Sequence, residues 1–143
     1  MEADVGMAMW SSERIFVAVL SAHPTDAEWD RWIEMYLPRK GRDMRVVVES
    51  HHSGPDAKQR KKLSDALKGD DCRVAVMTES TFVRGIITAL AWLGIPQRGF
   101  PVGAHLQAAN YLELDERELE QVMRELPRLR REAGVEGLQS ASG

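Results

Sequence analysis

The chain has 143 residues, enough for one domain with a sizeable core. Hydrophobic residues at 43% and charged residues at 29% exclude wholesale disorder, and a net charge of -3 argues against a general nucleic-acid binder. The longest apolar run, "IITALAWLGI" (86–95), is about half of the roughly 20 residues that span a bilayer, so no membrane span is expected.

The opening "MEADVGMAMW" has no basic stretch followed by an apolar one, so no secretory signal is read. Cys72 is the only cysteine, which excludes an internal disulfide and fits a reducing cytoplasm.

In chain order, "MAMW" (7–10) is expected to pair as a short hairpin with "IFVAVLS" (15–21), an almost wholly apolar β-prone run. Thr25 and Glu28 then match a T-x-x-E capping box, in which each side chain satisfies a backbone amide at a helix start. Trp29, Trp32, Ile33 and Tyr36 follow at helical spacing and predict an aromatic face against a sheet. Pro38 and Gly41 end that helix.

"MRVVVES" (44–50) is the next strand, and residues 55–68 form a surface helix with a narrow stripe of Leu63, Ala66 and Leu67. "RVAVMT" (73–78) is another strand. The helix after it, "STFVRGIITALAWLG" (80–94), is apolar nearly all round and calls for cover on more than one side. "RGFPV" (98–102) is a weaker strand whose proline places it near an edge.

A short helix over 104–112 precedes a longer one over about 115–132, opened by Asp115 and Glu118 as a second capping box. Acidic residues at its start and Arg128, Arg130 and Arg131 at its end suit the helix dipole, and Pro127 is a candidate kink. Its seam of Leu119, Val122, Leu126 and Leu129 is read first as a cover for the domain and second as a docking seam for a second copy or another protein. The segment 134–143 is expected to be a disordered tail, leaving residues 1–133 as one domain. Strands alternating with helices imply an α/β fold with a largely parallel sheet, whose ligands and partners meet the loops beyond the strands' carboxyl ends.

Two such loops hold the candidate site residues. In "HHSGPD", Ser53 before Gly54 and Pro55 reads first as a helix cap, with Asp56 as its S-x-x-D partner. The same geometry suits a bound or covalent phosphate, with Lys58 and Arg60 close in sequence to assist.

His51 and His52 point to opposite sides of an extended segment, and no spacing of zinc-site type joins them to His23, His105 or Cys72, so neither metal nor cofactor is called for. A hydrolase using His51 or His52 would need a nucleophile aimed at it, which an immediate neighbour rarely supplies. Phosphate-cradling loops of the G-x-x-x-x-G-K-[ST] and G-x-G-x-x-G types are absent.

In "TESTFVRG" (78–85), Ser80 or Thr81 reads as the cap of the apolar helix. Arg84 in its first turn opposes the dipole and needs either an exposed position or an anionic partner, for which Glu49 and Glu79 are the candidates.

The order of elements, with "RVAVMTESTFVRGIITALAWLG" (73–94) and "RGFPVGAHLQAANYLEL" (98–114), resembles the STAS family of anti-sigma-factor antagonists. It resembles still more the STAS-like branch related to CRAL-TRIO lipid-exchange domains, over about residues 15–114. The resemblance implies a mixed, largely parallel four- to five-stranded sheet with helices packed on it and a C-terminal amphipathic helix.

In STAS antagonists a D-S-S-G segment after the third strand carries a serine that a partner kinase phosphorylates. Ser53 and Gly54 match that segment, while His51 and His52 stand where the acidic residue and first serine would be. The CRAL-TRIO likeness implies an apolar ligand, for which the chain is short. The leading expectation is a non-enzymatic cytoplasmic bacterial regulatory module that binds a protein partner. His51, His52, Ser53, Gly54, Lys58, Arg60, Glu79, Ser80, Thr81 and Arg84 would form its surface, with a homodimer through the C-terminal helix as a further possibility. Binding of an anionic metabolite or lipid between the sheet and the apolar helix is the second expectation, and an enzyme using His51 or His52 the third.

Overall fold

A computed structural model describes residues 6–21, 24–41, 43–51, 55–68, 72–80, 85, 87 and 97–135. The strands are β1 (Met7–Ser11), β2 (Ile15–Leu20), β3 (Arg45–Ser50), β4 (Arg73–Thr78) and β5 (Gln97–Phe100). They form one sheet in chain order. β1 pairs antiparallel with β2, with Met7 opposite Leu20, and all other pairs are parallel. The hairpin read from "MAMW" and "IFVAVLS" is therefore present, and the proline after Phe100 does lie beside an edge strand.

When each parallel strand is laid beside its predecessor in the same direction, right-handed crossovers put every connecting helix on one face. The two cores follow that rule. On one face, Trp29, Trp32 and Tyr36 of α1 (Asp26–Tyr36) and Leu63 and Leu67 of α2 (Ala57–Leu67) cover Phe16, Ala18, Val46, Val74 and Val76, joined by Ile87. Phe16, Trp32 and Tyr36 stack in series, with ring centroids 5.1 and 5.5 Å apart.

The opposite face carries Val17, Val19, Val47, Ala75 and Met77, and must be covered by chain that comes after the last strand. That cover is α3 (His105–Leu112) and α4 (Glu116–Ala133).

Each helix is fixed at its ends by named groups. The Thr25–Glu28 capping box opens α1, and the free Glu28 oxygen also accepts from the Gly6 and Met7 amides, tying β1 to the helix. At the far end of α3, Arg45 donates to the Leu112 carbonyl at 2.8 Å and Arg73 to the Tyr111 carbonyl at 3.0 Å. Two guanidinium groups thus meet the negative end of that helix.

Asp115 and Glu118 form the expected box at the start of α4, and Glu118 also pairs with Arg14 at 2.7 Å. Gly134, at a φ of 80°, then ends α4, with its amide bonded to the Arg131 carbonyl and the Val135 amide to the Arg130 carbonyl. This is a Schellman stop, whose left-handed position favours glycine.

Two expectations are corrected here. Val122, Leu126 and Leu129 are buried within the chain against the sheet, so this seam covers the domain and is not left open to a second copy. Leu119 is half-buried at its margin. The expected tail from Gly134 begins too early, because Val135 is only 1% exposed and closes the helix stop. The helix continues through Pro127. The expected cap of the apolar helix by Thr81 lies outside the described residues. Among those residues no helix is long and apolar enough to cross a membrane.

Because Leu129 is fully buried at the α4–sheet contact, Leu129→Ala should cost about 2–5 kcal/mol, read from the urea midpoint. A chain ending at Leu114 should lose cooperative unfolding, since only α3 would be left to cover the sheet face that Val122, Leu126 and Leu129 pack against.

Candidate functional site

Side chains alternate along β3, so the residues that face α3 and α4 are Arg45, Val47 and Glu49. Glu49 is 0% exposed, a carboxylate set between Val19 of β2 and Met77 of β4. Its partner comes from α4. Arg130 sits four residues after Leu126 on the buried stripe and donates to Glu49 through Nε at 2.8 Å and Nη2 at 2.7 Å. This two-pronged contact matches the planar fork of a guanidinium to a carboxylate.

His51, the first residue after β3, places Nε2 2.6 Å from the same Glu49 oxygen. Burial pushes the Glu49 carboxyl up, but the hydrogen bonds and charges of Arg130 and His51 outweigh burial and hold it at about 2, against an ordinary 4.5.

Beside this pair, residues just after β3, β4 and β5 and residues of α4 line a cleft of about 650 Å³. Glu49, His51 and Arg130 form its polar floor, and Glu79, Gly103 and His105 stand at the loop side. Met123, Leu126 and Pro127 of α4 and Val102 supply apolar wall. Glu79 is held in place by accepting from the Val102 amide at 3.0 Å.

His105 is lowered from the ordinary histidine value, first by burial and then by the charge of Arg130, both of which favour the neutral ring. One ring nitrogen hydrogen-bonds the Gly103 backbone, while Nε2 is buried with no hydrogen-bond partner in the protein. The volume and the few convergent polar groups on an apolar wall are those of a binding cleft.

Of the residues expected to form the site, His51 and Glu79 meet in this cleft. Ser80 lies just beyond β4, its amide bonded to the Thr78 hydroxyl at 3.0 Å. His52, Ser53, Gly54, Thr81 and Arg84 lie outside the described residues. Arg60 is spent on the Pro55 carbonyl at 3.1 Å, and Lys58 is exposed on α2.

The expected helix start is corrected. The cap of α2 is Asp56, whose carboxylate accepts from the Gln59 amide at 2.8 Å while the Gln59 side chain accepts from the Asp56 amide. Ser53 is therefore not the cap, and a carboxylate already occupies the position where a phosphate would meet the helix dipole.

Of the two partners expected for Arg84, Glu49 pairs with Arg130 and Glu79 accepts from the Val102 amide, while Arg84 itself lies outside the described residues. The cleft itself lies on the face opposite the core that holds Ile87, not between the sheet and the apolar helix.

Arg130 and His105 were missed in the sequence. Arg130 carries a legible signal, because Val122, Leu126 and Arg130 form one i, i+4 row. His105 carries none, since its role depends on how α3 folds back over β4 and β3.

Among the described residues no serine, threonine or cysteine lines the cleft, so they do not assemble the nucleophile–base pairing of a serine or cysteine hydrolase. Among those residues no group of three histidine, cysteine, aspartate or glutamate side chains is placed to hold a metal ion. Comparison with protein-family models and with curated proteins finds no match.

Replacing one partner of the buried pair leaves the other charge uncompensated, so Arg130→Met should cost about 3–5 kcal/mol, and adding Glu49→Leu should recover most of it. Urea unfolding of the single and double variants checks both. A carboxyl lowered in the folded state adds stability in full above its unfolded value and loses it as pH falls through the folded value. Glu49 should thus contribute about 3 kcal/mol that disappears between pH 4.5 and about 2, and Glu49→Gln should flatten the unfolding midpoint over the accessible part of that window.

Proposed function

We propose that the chain is a STAS-like regulatory module that docks a partner protein on the rim where β3, β4 and β5 end, with the cleft between that rim and α4 as the anchoring pocket. The observation that carries this reading is the gathering of His51 and Glu79, from the ends of β3 and β4, with His105, from the start of α3, around one partly apolar cleft. Its polar floor, Glu49 with Arg130, is held rigid by a buried bidentate contact. Loops at the carboxyl ends of strands are where α/β sheets meet ligands and partners, and a pocket with a fixed floor suits an anchoring side chain.

The STAS resemblance supports the same rim, because the segment after the third strand is where those antagonists meet their kinase. Phosphate capture at the start of α2 is not part of this reading, since Asp56 already caps it.

Met123 is exposed at the cleft wall and can be changed without opening the core. Met123→Asp together with Glu79→Arg should abolish capture of proteins that the unchanged chain retains. Leu37→Asp, an exposed position remote from the cleft lining, should leave capture intact. Equal loss in all variants, or loss in none, would end the rim reading.

A further inference from the structure

β1 is an edge strand, and the parity of its hydrogen bonds leaves one side of its backbone open. The Ser12 amide bonds the Ile15 carbonyl and the Ser21 amide bonds the Gly6 carbonyl, so Ala8 and Trp10, in step with Gly6 and Ser12, turn their backbone groups to β2. Met7, Met9 and Ser11 turn theirs outward. The Met7 amide is taken by Glu28, while the Met7 carbonyl and both backbone groups of Met9 and Ser11 have no partner among the described residues.

This edge carries none of the devices that keep edge strands from pairing. "MAMWS" has no charge and no proline, and its register with β2 runs without a bulge. The opposite edge, β5, is shorter, carries Arg98 and is followed by Pro101. Only one edge of the sheet is therefore guarded.

The flanks of β1 are self-complementary under a two-fold axis. Met7, Met9 and Met35 line a groove along the edge on the α1 side, and Glu132 of α4 borders the same groove. Glu132 ends a row at i, i+3 and i+4 spacing, Glu118, Gln121, Glu125, Arg128 and Glu132. That row follows β1 from Arg14 in the β1–β2 turn, which Glu118 binds, to Met7. A two-fold axis perpendicular to the sheet at Met9 reverses the row in a second copy, which sets Arg128 beside the second copy's Glu125 and Glu125 beside the second copy's Arg128. On the other face the same axis brings Met9 and Met35 against their own copies, and flexible methionines suit such a contact.

We propose that β1 pairs antiparallel with β1 of a second copy, Met9 opposite Met9, so that two five-stranded sheets become one across the dimer axis. The Met9 amides and carbonyls then bond each other, and the Ser11 amide of each copy bonds the Met7 carbonyl of the other. Any extended strand supplies such backbone bonds. The reversed row of Glu125 and Arg128 is what selects the chain's own copy. The rim where β3, β4 and β5 end lies toward the other edge of the sheet and stays open in both copies, so the dimer stands or falls apart from the proposed docking.

Sedimentation velocity of the full-length chain from micromolar to millimolar concentration, with amide exchange read by NMR on the same samples, tests the pairing. The mass should rise from one chain to two. The Met9 and Ser11 amides should become protected as it does, while those of Ala8 and Trp10 are protected throughout. Met9→Lys, which opposes two like charges across the axis, should raise the dimer dissociation constant about tenfold. Glu125→Arg and Arg128→Glu should each weaken self-association, and an equal mixture of the two should recover it as a mixed dimer. Their urea midpoints check that both variants are folded, and they decide the matter where Met9→Lys fails to fold.

One chain mass at millimolar concentration would overturn the proposal, as would a dimer in which the Met9 and Ser11 amides stay open. Protection of those amides that does not change with concentration would mean that the chain itself covers the edge, and would overturn it equally. Charge variants that each self-associate as tightly as the unchanged chain would remove the selection by α4 and with it the assignment to a second copy.

Discussion

A fully buried carboxylate facing a buried guanidinium is the constraint around which this chain is arranged. Glu49 cannot be taken out of water alone, and neither can Arg130. Together they make two short hydrogen bonds across the gap between the third strand and the last helix, a sequence separation of 81 residues. The pair fixes where α4 lies along the sheet. Apolar contacts from Val122, Leu126 and Leu129 supply the burial but not the register, because a row of similar side chains tolerates sliding that a bidentate ion pair does not. The Schellman stop acts on the same residue, since the Arg130 carbonyl receives the Val135 amide. Backbone and side chain of Arg130 are thus both anchored.

Sheet order explains why the pair and the cleft occur where they do. A sheet built in sequence commits its crossover helices to one face, and the second face waits for chain after β5. Two helices then arrive there. α3 is held by Arg45 and Arg73 at the amino ends of β3 and β4, which leaves the carboxyl ends uncovered by it. α4 crosses that side with its last turns over Glu49, and the space left between them is the cleft. A buried polar floor, an apolar wall and an open mouth thus follow from covering a sheet face with two helices of unequal length.

Much of the fold was legible because it rests on local patterns. Strand runs such as "RVAVMT", the boxes at Thr25–Glu28 and Asp115–Glu118, and the aromatic spacing of α1 depend on residues within one turn or one strand. The start of α2 was misjudged for a related reason. Ser53 and Asp56 both suit a cap, and Gln59 three residues after Asp56 decided the matter by closing a box with it and reaching Asp26 of α1 at 2.5 Å.

The candidate site was less legible, because its parts are brought together by tertiary folding. Glu49 looked like one charge at a strand end, and Arg130 looked like a dipole-compensating charge at a helix end. Arg130 nonetheless broke an apolar row, the Val122–Leu126 row of α4, and Glu49 shares with Val47 the face of β3 that this row covers. Opposite charges on two surfaces destined to face each other are a signal of pairing, visible only once the two elements are placed on the same face. His105 could not be placed that way, since its unpaired nitrogen is a property of how the start of α3 packs.

The proposed anchoring role of the cleft depends on that floor being rigid, and rigidity here means one side-chain contact. The Arg130 Nε–H signal in a proton–nitrogen spectrum at neutral pH reports it directly. A single resolved signal, slow to exchange with water and abolished or returned to the free-arginine position by Glu49→Gln, is the expected result. An Arg130 Nε–H that exchanges as fast as those of exposed arginines, unmoved by that substitution, would contradict the central claim.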